Sequence, residues 1–182
     1  PWTLPSNVAL VVNAHEDYCR VSYKGDVLIF AKALVETVLK EDYEILETFK
    51  GEDLKGTRYK CLFDFLEDDP KGFYVVCDDY VTLTDGTGVV HTAPAFGEDD
   101  YRVGRAYGLP FRQYVDTQGN FTKEVTPWAG KFVKDCDKPI IEYLKETGGL
   151  FAAVPFEHSY PFCWRCDTPL LYYARSTWFI EM

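Results

Sequence analysis

Two groups of residues in this chain have types and spacings suited to chemistry. The denser one runs over residues 86–101 and reads Gly-Thr-Gly-Val-Val-His-Thr-Ala-Pro-Ala-Phe-Gly-Glu-Asp-Asp-Tyr. It gathers an imidazole (His91), a hydroxyl (Thr92) and three carboxylates (Glu98, Asp99, Asp100) in one short stretch. A carboxylate held in a fixed place selects a cation such as a free ammonium through a charge-assisted hydrogen bond. A histidine acts as a general base where a carboxylate orients it beside a nucleophile, and no triad spacing of that kind is visible. The second group is Cys163 and Cys166, which have the spacing of a zinc knuckle. A structural zinc needs four ligands, and the chain holds no second such cysteine pair and no well-placed histidine.

The elements that must position the first group form a strand-loop-helix corner. Asp85-Gly86 and Gly88 supply backbone freedom for a turn, and residues 89–92 read as a short buried strand that Pro94 ends. Phe96-Gly97 makes a second bend. Glu98, Asp99 and Asp100 then open a helix through Tyr101 to Tyr107, where unpaired N–H groups favour negative charge. Taken without context, Asp99 and Asp100 read as helix caps and His91 as a core histidine. His15 and His158 have no comparable company and read as structural.

The rest of the chain supplies mostly strands. Residues 8–12 suit an interior strand, and 19–23 alternate as its hairpin partner. A bend at Gly25-Asp26 leads to a strand over 27–30, then to a helical pattern in which Leu34, Val38 and Leu39 face inward. Residues 43–49 and 59–65 read as strands, separated by the turn-rich segment 51–56. Residues 67–72 read as a solvated acidic loop. Residues 73–77, 81–83 and 111–115 are β-rich, and 116–120 form a turn. A helix opens at Asp137-Lys138-Pro139 and stops at Gly148-Gly149. Residues 150–155 and 169–180 run extended. Many short strands with few helices predict an α+β domain around a distorted, barrel-like sheet with short peripheral helices.

Composition narrows the possibilities. The 182 residues fit one domain with a sizeable core, and 47% hydrophobic and 16% aromatic content argue for a folded chain. No apolar run approaches the roughly 20 residues that span a bilayer, so no membrane partner is expected, nor is the start a signal peptide. The lack of an initiator methionine and of a terminator-like end suggests a piece of a longer cytoplasmic protein. A net charge of −10 argues against a free-standing nucleic-acid binder, though not against a domain acting on a nucleic-acid end held elsewhere. Cys19, Cys61, Cys77 and Cys136 read as small buried residues in a reducing compartment.

Three segments together resemble the editing domain of isoleucyl-tRNA synthetases: Trp2-Thr3-Leu4-Pro5-Ser6-Asn7, the 86–101 run, and Tyr160-Pro161-Phe162-Cys163-Trp164-Arg165-Cys166. They stand in the family's order across nearly the whole chain. Ala95-Phe96, where bacterial members usually carry Gly-His, points to the eukaryotic cytosolic branch. The resemblance implies the same α+β architecture, with residues 160–182 as a returning segment. It implies that Asp100 grips the α-ammonium of a misattached amino acid, and that His91 lines the amino-acid pocket and excludes the larger cognate side chain. Trp2 would pack on the substrate side chain, Tyr160 would close the pocket, and Thr92 would assist from the strand. Thr3 and Asn7 would hydrogen-bond near the ester or the terminal adenosine and help orient water. The family's threonine run normally precedes Pro1. The family's other cysteine pair lies upstream, so Cys163 and Cys166 would be half of a zinc site, with no cofactor for editing itself.

The activity so implied is hydrolysis of valyl-tRNA(Ile), with valyl-adenylate as a further substrate, the partners being the tRNA(Ile) 3′ end and the remainder of the synthetase. No serine or cysteine stands in an activating context, so orientation and electrostatics would drive the attack by water. Two rivals remain at this point: a module that only holds a tRNA end or a partner protein, and a zinc-dependent hydrolase or zinc ribbon.

Overall fold

The computed structural model describes residues 1–155, 159–178 and 180; His158 lies outside them. Strands β1 (Ala9–Val12), β5 (Tyr74–Cys77) and β6 (Val90–Thr92) form one sheet in the order β5-β1-β6. Strand β1 runs parallel to β5 and antiparallel to β6, so Leu10 stands opposite His91 and Ala9 opposite Thr92. The near-continuous apolar run of β1 fits its place in the middle of that sheet. A second, antiparallel sheet sets β2 (Asp17–Tyr23) between β3 (Asp26–Ala31) and β4 (Tyr43–Lys50). Its β2–β3 turn takes two left-handed residues, Lys24 (φ 50°) and Gly25 (φ 93°), the twist that two-residue hairpins favour.

The two sheets meet over Val12, Tyr18, Ala31, Leu34, Leu54 and Val75. Tyr18 is fully buried there, and its hydroxyl donates to the Gly88 carbonyl at 2.6 Å while accepting the Asn13 N–H at 3.0 Å. Gly88 has a left-handed φ of 74°, and a Cβ on it would lie 2.3 Å from that of Ala31. Only glycine lets the chain pass so close, which brings β6 and His91 against β1.

A 3-10 turn (Lys32–Leu34) runs into helix α1 (Val35–Leu39); together they bury Leu34, Val35 and Leu39 and leave Lys32 and Glu36 in water, with Lys40 exposed just beyond. Helix α2 (Glu98–Tyr107) starts after Gly97 and ends at Gly108, whose left-handed φ of 64° caps it. Helix α3 (Asp137–Glu146) packs Ile140 and Leu144 into a third core with Trp2, Phe63, Phe121 and Trp128. The expected α+β class therefore stands, as short strands in two small sheets with few, short helices.

Four local expectations are corrected. Strand β2 is not the hairpin partner of β1, because both edges of β1 are taken by β5 and β6. Residues 59–65 form no strand; Tyr59 makes one backbone bond to Phe73, and Phe63 and Phe65 instead join Trp128 and Tyr143 in an aromatic cluster. Residues 81–83 are irregular, Val81 being buried as core without a ladder. Residues 111–115 hold one isolated bridge, Val115 to Phe121, closing the turn over Asp116. In the last three cases apolar side chains such as Phe63, Val81 and Val115 found burial outside a strand ladder, which alternation alone does not reveal. No helix among the described residues is long and apolar enough to cross a membrane.

Candidate functional site

The first segment and β6 come together because β1 pairs antiparallel with β6. Thr3 precedes a single turn of 3-10 helix, Leu4–Ser6, with Pro5 inside it, and Asn7 ends that turn just before β1. The Val8 N–H donates to the Thr92 carbonyl at 2.9 Å, which locks the turn to the end of β6. Thr3 Oγ1 then lies 3.1 Å from His91 Nε2, and Asn7 Nδ2 lies 3.4 Å from His91 Nδ1. Asn7 Nδ2 also donates to the Ala9 carbonyl at 2.9 Å, and the Tyr59 hydroxyl donates to Asn7 Oδ1 at 2.5 Å. Thr3, Asn7 and His91, singled out from sequence, thus form one polar chain, with Tyr59 added.

Burial pushes the His91 imidazole down to about 4, so the ring is neutral at physiological pH. Its edge is half-buried, but both nitrogens face polar side chains. Thr92 is fully buried and, among the described residues, neither its hydroxyl nor the buried hydroxyl of Tyr80 has a hydrogen-bond partner. The two hydroxyls neighbour one another without bonding geometry, and burial chiefly, with the nearby carboxylates of Asp100, Asp78 and Asp99, pushes the Tyr80 phenol up to about 12.

Asp100 sits in the first turn of α2 with its carboxyl folded back over Gly97, where an added Cβ would meet Oδ2 at 2.7 Å. Gly97 is therefore required by the carboxyl's position. Burial pushes the Asp100 carboxyl up to about 6; the Ala93 N–H opposes that shift and the Asp99 charge adds to it. Among the described residues, no lysine or arginine pairs with Asp100. Its neighbour Asp99 pairs instead with Arg102 at 3.2 Å, and Arg102 also clamps Asp78 at 2.8 Å, holding that carboxyl below its usual range. Asp100 is thus a half-buried carboxylate aimed at a loop N–H and left without a cation. Glu98 and Asp99 make no side-chain cap hydrogen bond, so they favour the helix start by charge alone.

The remaining candidates separate. Trp2 is 9% exposed, its ring set edge-on to Phe96 at 5.1 Å, and its backbone N–H donates to Asp137 Oδ1 at 3.0 Å. The Tyr160 hydroxyl donates to the Leu170 carbonyl at 2.7 Å, with the Lys134 ammonium 4.5 Å from its ring centre. His15 lies on the surface near Asp79. Cys163 and Cys166 stand on a tight turn closed by Cys163 N to Thr168 O and Asp167 N to Cys163 O, both 2.8 Å. The Thr168 hydroxyl, 3.1 Å away, pulls the Cys166 thiol below its usual value. Among the described residues no three metal-binding side chains converge, so this chain offers zinc two sulfur donors of four. Beyond Pro169 the C-terminal segment straps onto the motif loop, with Ala174 N bonded to Ala95 O at 2.6 Å and Gln113 Nε2 to Ala174 O at 3.0 Å. Tyr59 and Tyr80 carry no sequence signal: each looks like one more aromatic residue in a β-rich stretch, and only the fold places its hydroxyl.

Comparison with known proteins fits this geometry. No family model matches the chain. All 182 residues align at 57% identity with the isoleucine–tRNA ligase of Clostridium novyi, and 181 residues at 51% with that of Bacillus thuringiensis. The chain spans 18% and 17% of the length of these two relatives. Among solved structures, the crystal structure of GlLeuRS-CP1 superposes with a TM-score of 0.65 at 16% identity, covering 86% of this chain and 82% of that one. The editing domain of the P. falciparum cytosolic leucyl-tRNA synthetase gives 0.61 at 13% identity, covering 81% and 74%. At such identities the likeness establishes the fold, which is that of these editing domains. The expected lean toward a eukaryotic cytosolic branch finds no support, since these ligases are bacterial. Phe96 packs on Trp2 and so reports local packing, not lineage.

Proposed function

We propose that this chain is the editing module of an isoleucyl-tRNA synthetase, hydrolysing the ester that joins valine to the 3′ end of tRNA(Ile). The observation that carries the reading is the half-buried Asp100 carboxylate, which no lysine or arginine pairs among the described residues and which reaches the Ala93 N–H just past β6, the strand whose His91 joins the Thr3–His91–Asn7 chain. An aminoacyl ester keeps a free ammonium, and a buried carboxylate without a cation is built to receive one. A bound ammonium would offset the burial cost that now holds the carboxyl near 6 and favour its charged form, so the ion pair forms in a place already shaped for it.

His91 serves as a neutral wall and hydrogen-bonding group, because a ring that gains its proton only near pH 4 is a poor base at pH 7. The Trp2–Phe96 pair backs the pocket, and Thr3 and Asn7 set the polarity around the ester carbonyl. Water attacks that carbonyl, the tetrahedral intermediate collapses, and the ribose oxygen leaves with a proton to give free valine and deacylated tRNA. The logic is size exclusion, since one methylene in an apolar pocket is worth only about 1–3 kcal/mol, a figure that rests partly on isoleucyl-tRNA synthetases themselves. Valyl-adenylate presents the same ammonium and is a second candidate substrate. Zinc on Cys163 and Cys166 would require two ligands from outside this chain and would be structural.

Deacylation of valyl-tRNA(Ile) tests the reading directly. Asp100→Ala should lower kcat/KM by at least about 100-fold, the usual cost of removing one partner of a desolvated charge pair. Truncating His91 to Ala should admit isoleucyl-tRNA to hydrolysis. Undiminished deacylation by the Asp100 variant would overturn the assignment, and tRNA-end binding without hydrolysis would favour a purely holding module.

A further inference from the structure

Asn7 is the pivot of the polar chain, and its surroundings allow one orientation. Its Nδ2 lies 2.9 Å from the Ala9 carbonyl oxygen and 3.5 Å from that of Thr92, groups that only accept. The amide nitrogen therefore belongs on that side. The same Nδ2 faces His91 Nδ1 at 3.4 Å, and since an amide nitrogen only donates, Nδ1 carries no proton. The neutral ring must then hold its proton on Nε2 and donate it to Thr3 Oγ1 at 3.1 Å. With its oxygen already accepting, the Thr3 hydroxyl is free to turn its own proton away from His91. The hydrogen bonds run in one direction, from Tyr59 through Asn7 and His91 to Thr3.

We propose that Tyr59 is a positioning residue: by donating to Asn7 Oδ1 it holds the amide that fixes His91 as the Nε2–H tautomer, which makes Thr3 a hydrogen-bond donor toward the substrate. Tyr59 is well placed for this. Its ring meets Phe73 edge-on at 5.8 Å, and its backbone N–H is tied to the Phe73 carbonyl at 2.9 Å. The Arg112 guanidinium covers Phe73 at 4.9 Å. Burial holds the phenol far above its ordinary pKa, so it stays a donor at any working pH. Among the described residues Tyr59 supplies the hydrogen bond to Asn7 Oδ1. A donor at Thr3 suits an ester carbonyl whose oxygen gains negative charge as water attacks. This last step rests on the hydrolase reading above, whereas the tautomer does not.

Imidazole nitrogen NMR of His91 at neutral pH separates the two. The native protein should show the Nε2–H tautomer alone. Tyr59→Phe leaves the Asn7 amide held only from its Nδ2 side, by the Ala9 and Thr92 carbonyls, so its orientation loosens and His91 should gain a measurable Nδ1–H population. Asn7→Asp presents an oxygen to Nδ1 and should move the proton there. In deacylation, Tyr59→Phe should lower kcat about tenfold with KM nearly unchanged, the effect of one hydrogen bond. An Nδ1–H tautomer in the native protein, or a Tyr59→Phe variant with pure Nε2–H and native kcat, would overturn the proposal. If the native protein lacks deacylation but shows the expected tautomers, the hydrolase reading fails while the positioning role stands.

Discussion

The motif corner and the C-terminal segment are both rich in aromatic residues, yet they are held in opposite ways. In the corner, Thr3, Asn7, Tyr59 and His91 share a connected set of hydrogen bonds, and β6 is fastened to β1, to Tyr18 through Gly88, and to Ala31. Over residues 159–178 and 180, the chain forms no regular element; Trp164 is 84% exposed and Trp178 fully so. Among the described residues its fastenings include the Cys163–Thr168 turn, the Phe162–Pro169 bridge, the Lys134–Tyr160 contact, Leu171 packed on the Trp2–Trp128 core, and the strap onto Ala95 and Gln113. The contrast shows that aromatic content does not locate a site. What locates it is polar atoms forced into fixed relations by strands that have no room to move, the condition for catalysis by orientation.

The sharpest way to break that contrast is at Gly88. An alanine there meets Ala31 at 2.3 Å and must hold a φ of 74°, so Gly88→Ala should cost roughly 3 kcal/mol or more in urea unfolding. It should also displace His91 and depress deacylation in whatever fraction stays folded. A loss under about 1 kcal/mol would mean that β6 is not anchored where the hydrogen bonds place it.

Less drastic is the titration of the corner. His91 drops from 6.5 to about 4 on folding, so between these values the unfolded chain binds more protons and His91 makes stability rise with pH. Asp100 climbs from 3.8 to about 6, so over that window the native chain binds more protons and Asp100 makes stability fall as pH rises. The two trends oppose each other between about pH 4 and 6. Asp100→Asn should therefore match the native protein near pH 4 and exceed its stability at pH 7 by about 1 kcal/mol, allowing for the screening of a half-exposed group. Stability gained while editing is lost is the mark of a functional charge held at a cost to the fold. An Asp100→Asn variant less stable than the native protein at pH 7 would instead make this carboxylate a structural cap.

Much of the corner was legible in the residues. Gly88, Pro94 and Gly97 mark the turns, the acidic run marks the start of α2, and the apolar run 8–12 marks the central strand. The class of fold followed from the count of short strands. What was hidden depends on pairing across long separations. Strand β1 lies beside β5, more than 60 residues away, and nothing local in 19–23 says that it pairs with β3 and β4 instead. Alternation also misled at 59–65, where Phe63 and Phe65 pack against Trp128, and at 111–115, where Val115 is buried and meets Phe121 in a single bridge, neither joining a ladder. Tyr59 falls in the first of these, so the error about the strand and the failure to see its role at Asn7 have one cause.

The smallest effect is expected in the C-terminal segment. Trp164 is 84% exposed, with the Arg165 guanidinium 4.7 Å from its ring, and Trp178 is fully exposed. The energy of a tryptophan comes from the area it removes from water, and here the folded and unfolded chains expose these rings nearly alike. Trp164→Ala and Trp178→Ala should each move stability by no more than about 0.5 kcal/mol in urea unfolding. The same substitution at Trp2, packed on Phe96 in a buried core, should cost about 3–5 kcal/mol. The pair of measurements holds residue type constant and varies only enclosure. A loss above 1 kcal/mol at Trp178 would show that this end of the chain shares a core, and the contrast between corner and segment would dissolve.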